Sequence, residues 1–197
     1  LTLKNSPVLN KYNFLFKDNN LTLTFGDKEI LTSDVNQPSE RERLVNKIIE
    51  LESSLKEPII LMKNIEFPFF DTSVSNKVEF ANSVSLLNMQ SINDFQNKID
   101  KEIEIPRFRG NIYVDGIKAW EERNWIGQII KINNVSFKVE KNIPRCVAIN
   151  LKPKTDDNSL NLLQSLKKTY NHFDMGIYLT SLDDGKIEIG NSVEINK

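Results

Sequence analysis

The stretch RFRGNIYVDGIKAWEERNWIGQIIKINNVSFKVEKNIPRCVAINLKP, residues 107–153, decides the fold. It contains short runs of β-forming residues separated by residues that favour turns. Asn111–Val114 precedes Asp115-Gly116, a dipeptide typical of tight turns. Gln128–Ile132 and Val135–Val139 flank Asn133-Asn134, and both asparagines tolerate the positive φ of a two-residue hairpin. The pattern predicts short strands joined by tight turns.

The same pattern continues toward the C-terminus, with one helix inserted where Leu160, Leu163, Leu166 or Lys167, and Tyr170 follow a helical period. Many short strands with turns between them favour a closed or nearly closed β-barrel over a doubly wound sheet. We therefore predict a mainly β fold, a β-barrel domain with a few helices. The further predicted strands are Arg145–Leu151, Gly176–Leu182, Lys186–Ile189 and Ser192–Ile195.

A small α+β segment is predicted to precede the barrel. Tyr12–Phe16 and Leu21–Phe25 flank a turn-rich tetrapeptide and predict a hairpin. A helix follows Pro38, with Ser39 and Glu42 as a capping box. Its apolar stripe is typical of a helix packed on a sheet. The stripe consists of Leu44, Ile48, Leu51 and Leu55.

The segment after this helix contains the predicted domain boundary. Pro58 ends the helix, and Ile59–Met62 is predicted to be a short buried strand. Residues 64–82 read as a connecting loop, so we place the boundary near residue 80, between domains 1–80 and 81–197. Beyond it, Ser91-Ile92-Asn93-Asp94 is predicted to cap a second helix, with Ile92, Phe95 and Ile99 facing inward.

The composition excludes several classes of function. Lys and Arg number 26 against 27 Asp and Glu, so the formal charge of −1 gives no general attraction to nucleic acid or anionic membranes. No apolar run approaches the roughly 18–20 residues that span a bilayer, and the N-terminus has no signal-peptide pattern. Zinc, Rossmann and P-loop motifs are absent, and the single histidine, His172, reads as part of a helix end. We expect a cytoplasmic protein that binds neither nucleic acid nor membrane.

Polar residues gather at three predicted strand beginnings, where the mouth of a barrel would bring them together. In the first, Arg109 offers a guanidinium fork for phosphate oxygens, Gly110 permits close backbone approach, and Asn111 both donates and accepts hydrogen bonds. Such arginines are more often surface salt-bridge partners, so residue chemistry alone is a weak signal. The other two clusters are Pro144-Arg145-Cys146 and a segment that begins with Asn82 and Ser83.

Cys146 is the only cysteine, and its residue type leaves two interpretations open. A lone cysteine is most often a buried small hydrophobe. Nearby cations would instead favour the thiolate, which is the form that ligates metals or accepts sulfur. Arg145 and Cys146 converge on one site only if the chain is irregular there, because adjacent side chains of a strand point to opposite faces.

In the order in which they occur, these residues resemble the MOSC domain, the family named for the C-terminal part of molybdenum cofactor sulfurases. The resemblance covers about residues 83–197, and residues 1–80 are similar to the end of the β-rich region that precedes this domain in longer members. We expect the chain to be an N-terminally truncated member. The landmarks are Ser85–Asn88, RFRGN (107–111), Asp115-Gly116, Trp120–Glu122, Gly127, Arg145-Cys146, Gly176–Tyr178 and Gly190–Val193.

The resemblance implies a β-barrel that binds molybdenum cofactor (molybdopterin). In the amidoxime-reducing branch, Cys146 would be the catalytic cysteine and the protein ligand to molybdenum, and Arg109, Asn111 and Arg145 would surround the pterin phosphate. We add Asn82 and Ser83 as candidate cofactor-binding residues. The implied activity is reduction of small N-hydroxylated or other N–O substrates, with electrons from a separate iron–sulfur or flavin protein.

The resemblance also implies two alternatives. As in sulfurase-type members, Cys146 would carry a persulfide received from a sulfur donor. A binding domain without catalysis is the third possibility. Gly110 stands where many members have proline, and Lys152 and Lys154 replace two acidic positions, so substrate specificity is expected to differ. Longer members have a further cofactor-gripping segment near the N-terminus, which we expect upstream of Leu1.

Overall fold

The computed structural model describes residue 3 and residues 6–55, 58–62 and 82–195. The chain divides into two compact units, one made of Leu1–Ile65 and Asn150–Leu160, the other of Glu66–Ile149 and Asn161–Lys197. The boundary predicted near residue 80 falls in 63–81, outside the described residues. No described helix is long and apolar enough to cross a membrane.

In its described residues, the first unit contains a three-stranded antiparallel sheet, one α-helix and the short 3-10 helix Pro7–Lys11. The strands β1 (Tyr12–Lys17), β2 (Asn20–Phe25) and β3 (Lys28–Asp34) pair in sequence order, and α1 (Pro38–Leu51) packs against β3. The hairpin of β1 and β2 agrees with the sequence pattern, with Phe14 opposite Leu23. The pattern did not indicate β3, because its first residues are charged and its apolar positions do not alternate.

Three predictions in the first unit are wrong in detail. Gln37 is the N-cap of α1 and makes no side-chain cap bond, so the capping box of Ser39 and Glu42 does not form. Pro38 does occupy the first turn, where its missing N–H costs nothing. Leu55 is buried but lies beyond the end of α1, and Ile59–Met62 is not a strand.

The second unit is built on a six-stranded sheet that is curled into a half-barrel. The strand order is β5-β4-β8-β7-β6-β9; β4 and β5 are parallel and the other neighbours are antiparallel. The mainly β fold with a few helices is therefore confirmed. The strands are β4 (Val84–Asn88), β5 (Ile112–Val114), β6 (Ile129–Ile132), β7 (Val135–Pro144), β8 (Asp174–Ser181) and β9 (Val193–Ile195).

Two α-helices belong to this unit, α2 (Met89–Ile99) and α3 (Leu162–Tyr170). The side chain of Asn88 caps α2 by accepting a hydrogen bond from the backbone N–H of Gln90, so the cap predicted at Ser91 is wrong. Ser91 lies inside the helix and donates to Glu122, which is completely buried. The apolar residues Ile92 and Phe95 face the interior as predicted.

The hairpin at Asn133-Asn134 is confirmed, since Ile132 pairs with Val135. Two other predicted strands are wrong. Residues Lys186–Ile189 have no strand structure, and Arg145–Leu151 is replaced by a 3-10 helix at Val147–Asn150. Pro144 ends β7 one residue before Arg145, so Arg145 and Cys146 follow a strand rather than begin one.

Candidate functional site

The alternation of side chains along the strands separates a core face from a site face. Leu86, Ile177 and Val114 belong to the hydrophobic core of the sheet. Because successive side chains point to opposite faces, Tyr113 of β5 and Tyr178 of β8 lie on the other side. We call this second side the site face.

Asn111 is held by hydrogen bonds to Ser85 of β4, at the edge of the site face. Its backbone N–H donates to the Ser85 carbonyl oxygen at 3.1 Å, and its side-chain oxygen accepts from the backbone N–H (2.9 Å) and hydroxyl (2.8 Å) of Ser85. Both donors point at the oxygen, so the amide orientation is fixed and the NH₂ group faces away from Ser85.

Arg109 is held in a turn just before Asn111. It ends the 3-10 helix Ile105–Phe108 with a left-handed backbone, at φ 49° and ψ 45°. One guanidinium nitrogen, Nη1, donates to the carbonyl oxygens of Arg107 at 2.9 Å and Ala148 at 2.8 Å. These bonds connect the RFRGN turn to the segment that follows Cys146.

Arg145 lies across the same region and connects three parts of the unit. Its backbone N–H donates to the Phe173 carbonyl oxygen at 2.9 Å. Its Nε donates to the Met175 carbonyl oxygen at 2.8 Å, its Nη1 to that of Phe108 at 2.9 Å, and its Nη2 also contacts Met175. The guanidinium carbon is 5.9 Å from the centre of the Phe108 ring.

Burial and neighbouring groups set the charge of the two arginines. Desolvation lowers the pKa of Arg145 to about 10, against the opposing effects of Tyr178, Cys146, Tyr113 and Asp174. Desolvation also lowers the pKa of Arg109, and Cys146 raises it. Both guanidinium groups stay cationic at neutral pH, and Cys146 lies close enough to both of them to oppose the lowering of their pKa.

Cys146 is a half-buried free cysteine, not one sealed in the core. Its carbonyl oxygen accepts from the backbone N–H of Ile149 at 3.2 Å, so the chain turns directly after β7. This turn breaks the alternation of a strand, which allows the side chains of Arg145 and Cys146 to contribute to one site.

The structure brings Arg109, Asn111, Arg145 and Cys146 into one region. The expectation that all of them lie at the beginning of a strand is wrong for Arg145 and Cys146, which follow the end of β7. Asn82 is exposed and Ser83 is half-buried, and both precede β4. The contacts to Asn111 come from Ser85, two residues further along.

Three residues of this region were not predicted as site residues, although two of them belong to the family landmarks: Ser85, Tyr178 and Tyr113. The signal that identifies them is the strand register. Ser85 is the partner of Tyr178 across β4 and β8, and Leu87 is the partner of Tyr113 across β4 and β5. Because side chains alternate along a strand, Ser85, Tyr113 and Tyr178 all lie on the site face. The register depends on how the strands pair in the folded sheet, so the sequence alone does not reveal it.

An aromatic and charged cluster borders the beginning of β8. The Nδ1 atom of His172 accepts from the backbone N–H of Asp174 at 3.1 Å, and Asp174 pairs with Arg123 at 3.3 Å. The His172 ring stacks on Tyr170 and meets the edge of Trp120. These contacts give His172 a structural role after α3, in line with the sequence expectation.

Within the described residues, no group of three or more His, Cys, Asp or Glu side chains could hold a metal ion. The donor set consists instead of one half-buried thiol, two guanidinium groups, an amide and two phenols. It suits an anionic ligand, or a metal that arrives with most of its own ligands.

The second unit is a small, mostly β domain that carries a cysteine beside two arginines on its curled sheet. Residues 71–194 match the family model described as "MOSC domain", so the chain belongs to the MOSC domain family.

Curated relatives of two kinds match the chain. Mitochondrial amidoxime reducing component 2 from Bos taurus is 28% identical over 109 residues, which are 55% of this chain and 31% of that protein. Molybdenum cofactor sulfurase from Drosophila yakuba is 29% identical over 120 residues, which are 59% of this chain and 14% of that protein. The match therefore spans less than a third of the length of either relative.

Among solved structures, YiiM from Geobacillus stearothermophilus matches with a TM-score of 0.45 and 16% identity, over 58% of this chain and 54% of that one. YiiM from Escherichia coli matches at the same TM-score with 15% identity.

Proposed function

We propose that this domain binds molybdenum cofactor and works as the oxidoreductase component for small N-hydroxylated or other N–O substrates. The observation that carries the proposal is Cys146, a half-buried thiol that lies close to both Arg109 and Arg145. Support also comes from the similarity to an amidoxime reducing component.

The residues of the site fit the cofactor. A molybdenum centre held by dithiolene sulfurs needs few protein ligands, and one soft thiolate is a suitable addition. Its pterin phosphate is anionic, and guanidinium groups bind phosphate oxygens with matched geometry. In this proposal Cys146 is the metal ligand, while Arg109, Arg145 and the Asn111 amide hold the phosphate region.

Asn82 and Ser83 remain candidate cofactor-binding residues in this proposal, at the approach to β4. The bound cofactor would supply the oxygen-atom chemistry, and the chain's own residues would orient it and leave Cys146 accessible from one side. Overall, the N–O substrate takes up two electrons and two protons and gives the N–H product and water. The electrons come from a separate iron–sulfur or flavin protein.

The test is the molybdenum content per chain of the purified protein and of Cys146→Ser. We expect nearly stoichiometric metal in the parent protein and a loss of most of it in the variant, because a serine hydroxyl is a poor ligand for a soft metal centre. Val147→Ser is the matched control, since Val147 is exposed and adjacent. Equal molybdenum in the parent and in Cys146→Ser would rule out the ligand role.

A second candidate function is a sulfur carrier, which the similarity to molybdenum cofactor sulfurase favours. The Cys146 thiolate would attack the outer sulfur of a donor persulfide, forming a Cys146 persulfide and releasing the donor as its thiolate. After incubation with a cysteine desulfurase and cysteine, mass spectrometry should then show the gain of one sulfur atom on Cys146. An unchanged mass would exclude this role.

A further inference from the structure

Tyr113 is a large aromatic residue on the site face that keeps 40% of its surface exposed. It belongs to β5, whose neighbouring residues Ile112 and Val114 pack toward the core. The strand therefore directs the phenol ring to the same side as Asn111, two residues earlier. A ring in this position borders the region that Arg109, Asn111 and Arg145 share.

The hydroxyl of Tyr113 is fixed at the RFRGN turn. Its oxygen accepts a hydrogen bond from the backbone N–H of Gly110 at 3.0 Å. The ring covers that glycine closely, because a Cβ atom at Gly110 would lie 3.1 Å from Cζ of Tyr113 and 2.4 Å from Cδ1 of Leu87. The absence of a side chain at position 110 is what allows the phenol to reach the turn.

A phenol oxygen that accepts from a backbone N–H still carries its own proton, which must point away from that N–H. Tyr113 thus presents an O–H donor at the site. Tyr113 is also close enough to Arg145 to affect its pKa, as Cys146 and Tyr178 are. The phenol and the thiol therefore surround the same guanidinium group.

The groups around Tyr113 are predominantly donors. In the described part of the chain, Asn111 uses its side-chain oxygen on Ser85, which leaves its NH₂ group to donate. Three of the five N–H groups of Arg145 donate to the carbonyl oxygens of Phe108 and Met175, which leaves two for a ligand. Asp174, the nearby acid, is paired with Arg123.

We propose that the hydroxyl of Tyr113 is a further binding residue of the site, donating a hydrogen bond to an oxygen of a phosphate monoester held by Asn111 and Arg145. The inference rests on the proposed function, since the phosphate monoester would be that of the pterin. Free inorganic phosphate has the same chemistry and would compete for the same donors.

The test compares the dissociation constant of metal-free molybdopterin for the parent chain and for Tyr113→Phe. The variant keeps the ring and loses only the donor, so binding should weaken on the order of tenfold, as for a hydrogen bond to a charged acceptor. Tyr170→Phe is the matched control. It removes a hydroxyl that joins α3 to Asp94 of α2, to which it donates at 2.8 Å, and should leave molybdopterin binding unchanged.

Competition with inorganic phosphate identifies which part of the ligand Tyr113 contacts. If the contact is to the phosphate group, the inhibition constant of inorganic phosphate should weaken in Tyr113→Phe by a similar factor. An unchanged inhibition constant would overturn the assignment to phosphate.

Failure of the inference is distinguishable from failure of the proposed function. If the parent chain binds molybdopterin and Tyr113→Phe binds it equally well, the role of Tyr113 is refuted while the cofactor site stands. If the parent chain binds no molybdopterin, the proposed function falls and the inference falls with it. A denaturation curve of each variant, followed by tryptophan fluorescence, verifies that the second unit is folded, since Trp120 and Trp125 both belong to it.

Discussion

In the proposed site, the side chain of Asn111 would have both a structural and a binding role. Its oxygen accepts from the backbone N–H and the hydroxyl of Ser85, so its NH₂ group faces away from Ser85 and would donate to a ligand. The two ends of the amide can therefore be separated by mutation. An aspartate keeps the acceptor oxygens and replaces the donor end with negative charge.

We predict that Asn111→Asp changes the free energy of unfolding by less than about 1 kcal/mol, because the bonds to Ser85 survive. Retention of the pterin should nevertheless fall more than tenfold, because a carboxylate repels an anionic ligand. Pterin fluorescence after release from the protein measures the retained cofactor. Asn97→Asp, on the exposed side of α2, controls for the added charge.

Asn111→Ala provides the complementary comparison. It removes the acceptor as well, so it should destabilise the second unit by about 1–3 kcal/mol, since the Ser85 donors lose their partner. If Asn111→Asp were as unstable as Asn111→Ala, the assignment of the side-chain oxygen to Ser85 would be wrong.

At the scale of elements, Gly176 determines how closely β8 approaches β4. Its φ is +81°, and a Cβ atom there would lie 2.4 Å from the Leu86 carbonyl oxygen and 2.7 Å from Cδ2 of Leu87. Gly116 has a similar φ of +75° but has no atom within 4 Å of its Cβ position. Alanine substitutions at the two glycines can therefore be compared: at Gly116 the cost comes from the backbone conformation alone, and at Gly176 a steric clash adds to it.

Gly116→Ala should destabilise the second unit by about 1–2 kcal/mol, the usual cost of a left-handed backbone for a residue with a Cβ atom. Gly176→Ala should cost about 1–3 kcal/mol more, because the sheet must also move apart to accommodate the methyl group. Urea denaturation followed by tryptophan fluorescence measures both. Equal losses would show that β4 and β8 have room for a side chain.

The elements also show which parts of the structure the sequence could predict. Alternating apolar residues and Asn133-Asn134 predicted β6 and β7, because turn chemistry and strand period are local. Arg145–Leu151 has the composition of a strand, yet Pro144 and a hydrogen bond from Ile149 to Cys146 end the sheet there. The local preference of these residues for a strand is overridden by a turn, which the tertiary contacts of Arg145 stabilise.

The candidate site residues could be named only because their order resembles a known family, since residue types alone were a weak signal. Their contacts could not be derived from the sequence. That Arg109 donates to Ala148 and Arg145 to Phe108 depends on how β7 returns to the RFRGN turn. The sequence around Tyr113 did not indicate it as a site residue. The position of its hydroxyl depends on Gly110, three residues earlier, and on the pairing of β4 with β5. Strand register is a property of the assembled sheet.

For the molecule as a whole, the two units differ in which residues can be used to follow their unfolding. Both tryptophans and the single histidine lie in the second unit, together with the candidate site. Fluorescence therefore follows the unfolding of the second unit, and its stability between pH 5 and 7 is sensitive to one identified imidazole.

Burial lowers the pKa of His172, with a further lowering by Arg123, so the folded unit holds a neutral ring below the usual titration range. The unfolded chain binds a proton first as the pH falls through about 6.5. Because the unfolded state then carries more protons, stability should fall as the pH is lowered from 7 toward 5. The slope should be a fraction of the roughly 1.4 kcal/mol per pH unit that one proton allows.

His172→Asn isolates this contribution. An asparagine oxygen can replace Nδ1 as the acceptor for the backbone N–H of Asp174, but it does not titrate. Urea midpoints measured at half-unit steps from pH 7.5 to 5 should decline in the parent chain and stay nearly level in the variant. Parallel curves would mean that the proton is taken up elsewhere and that the ring between Trp120 and Tyr170 is not held neutral by folding.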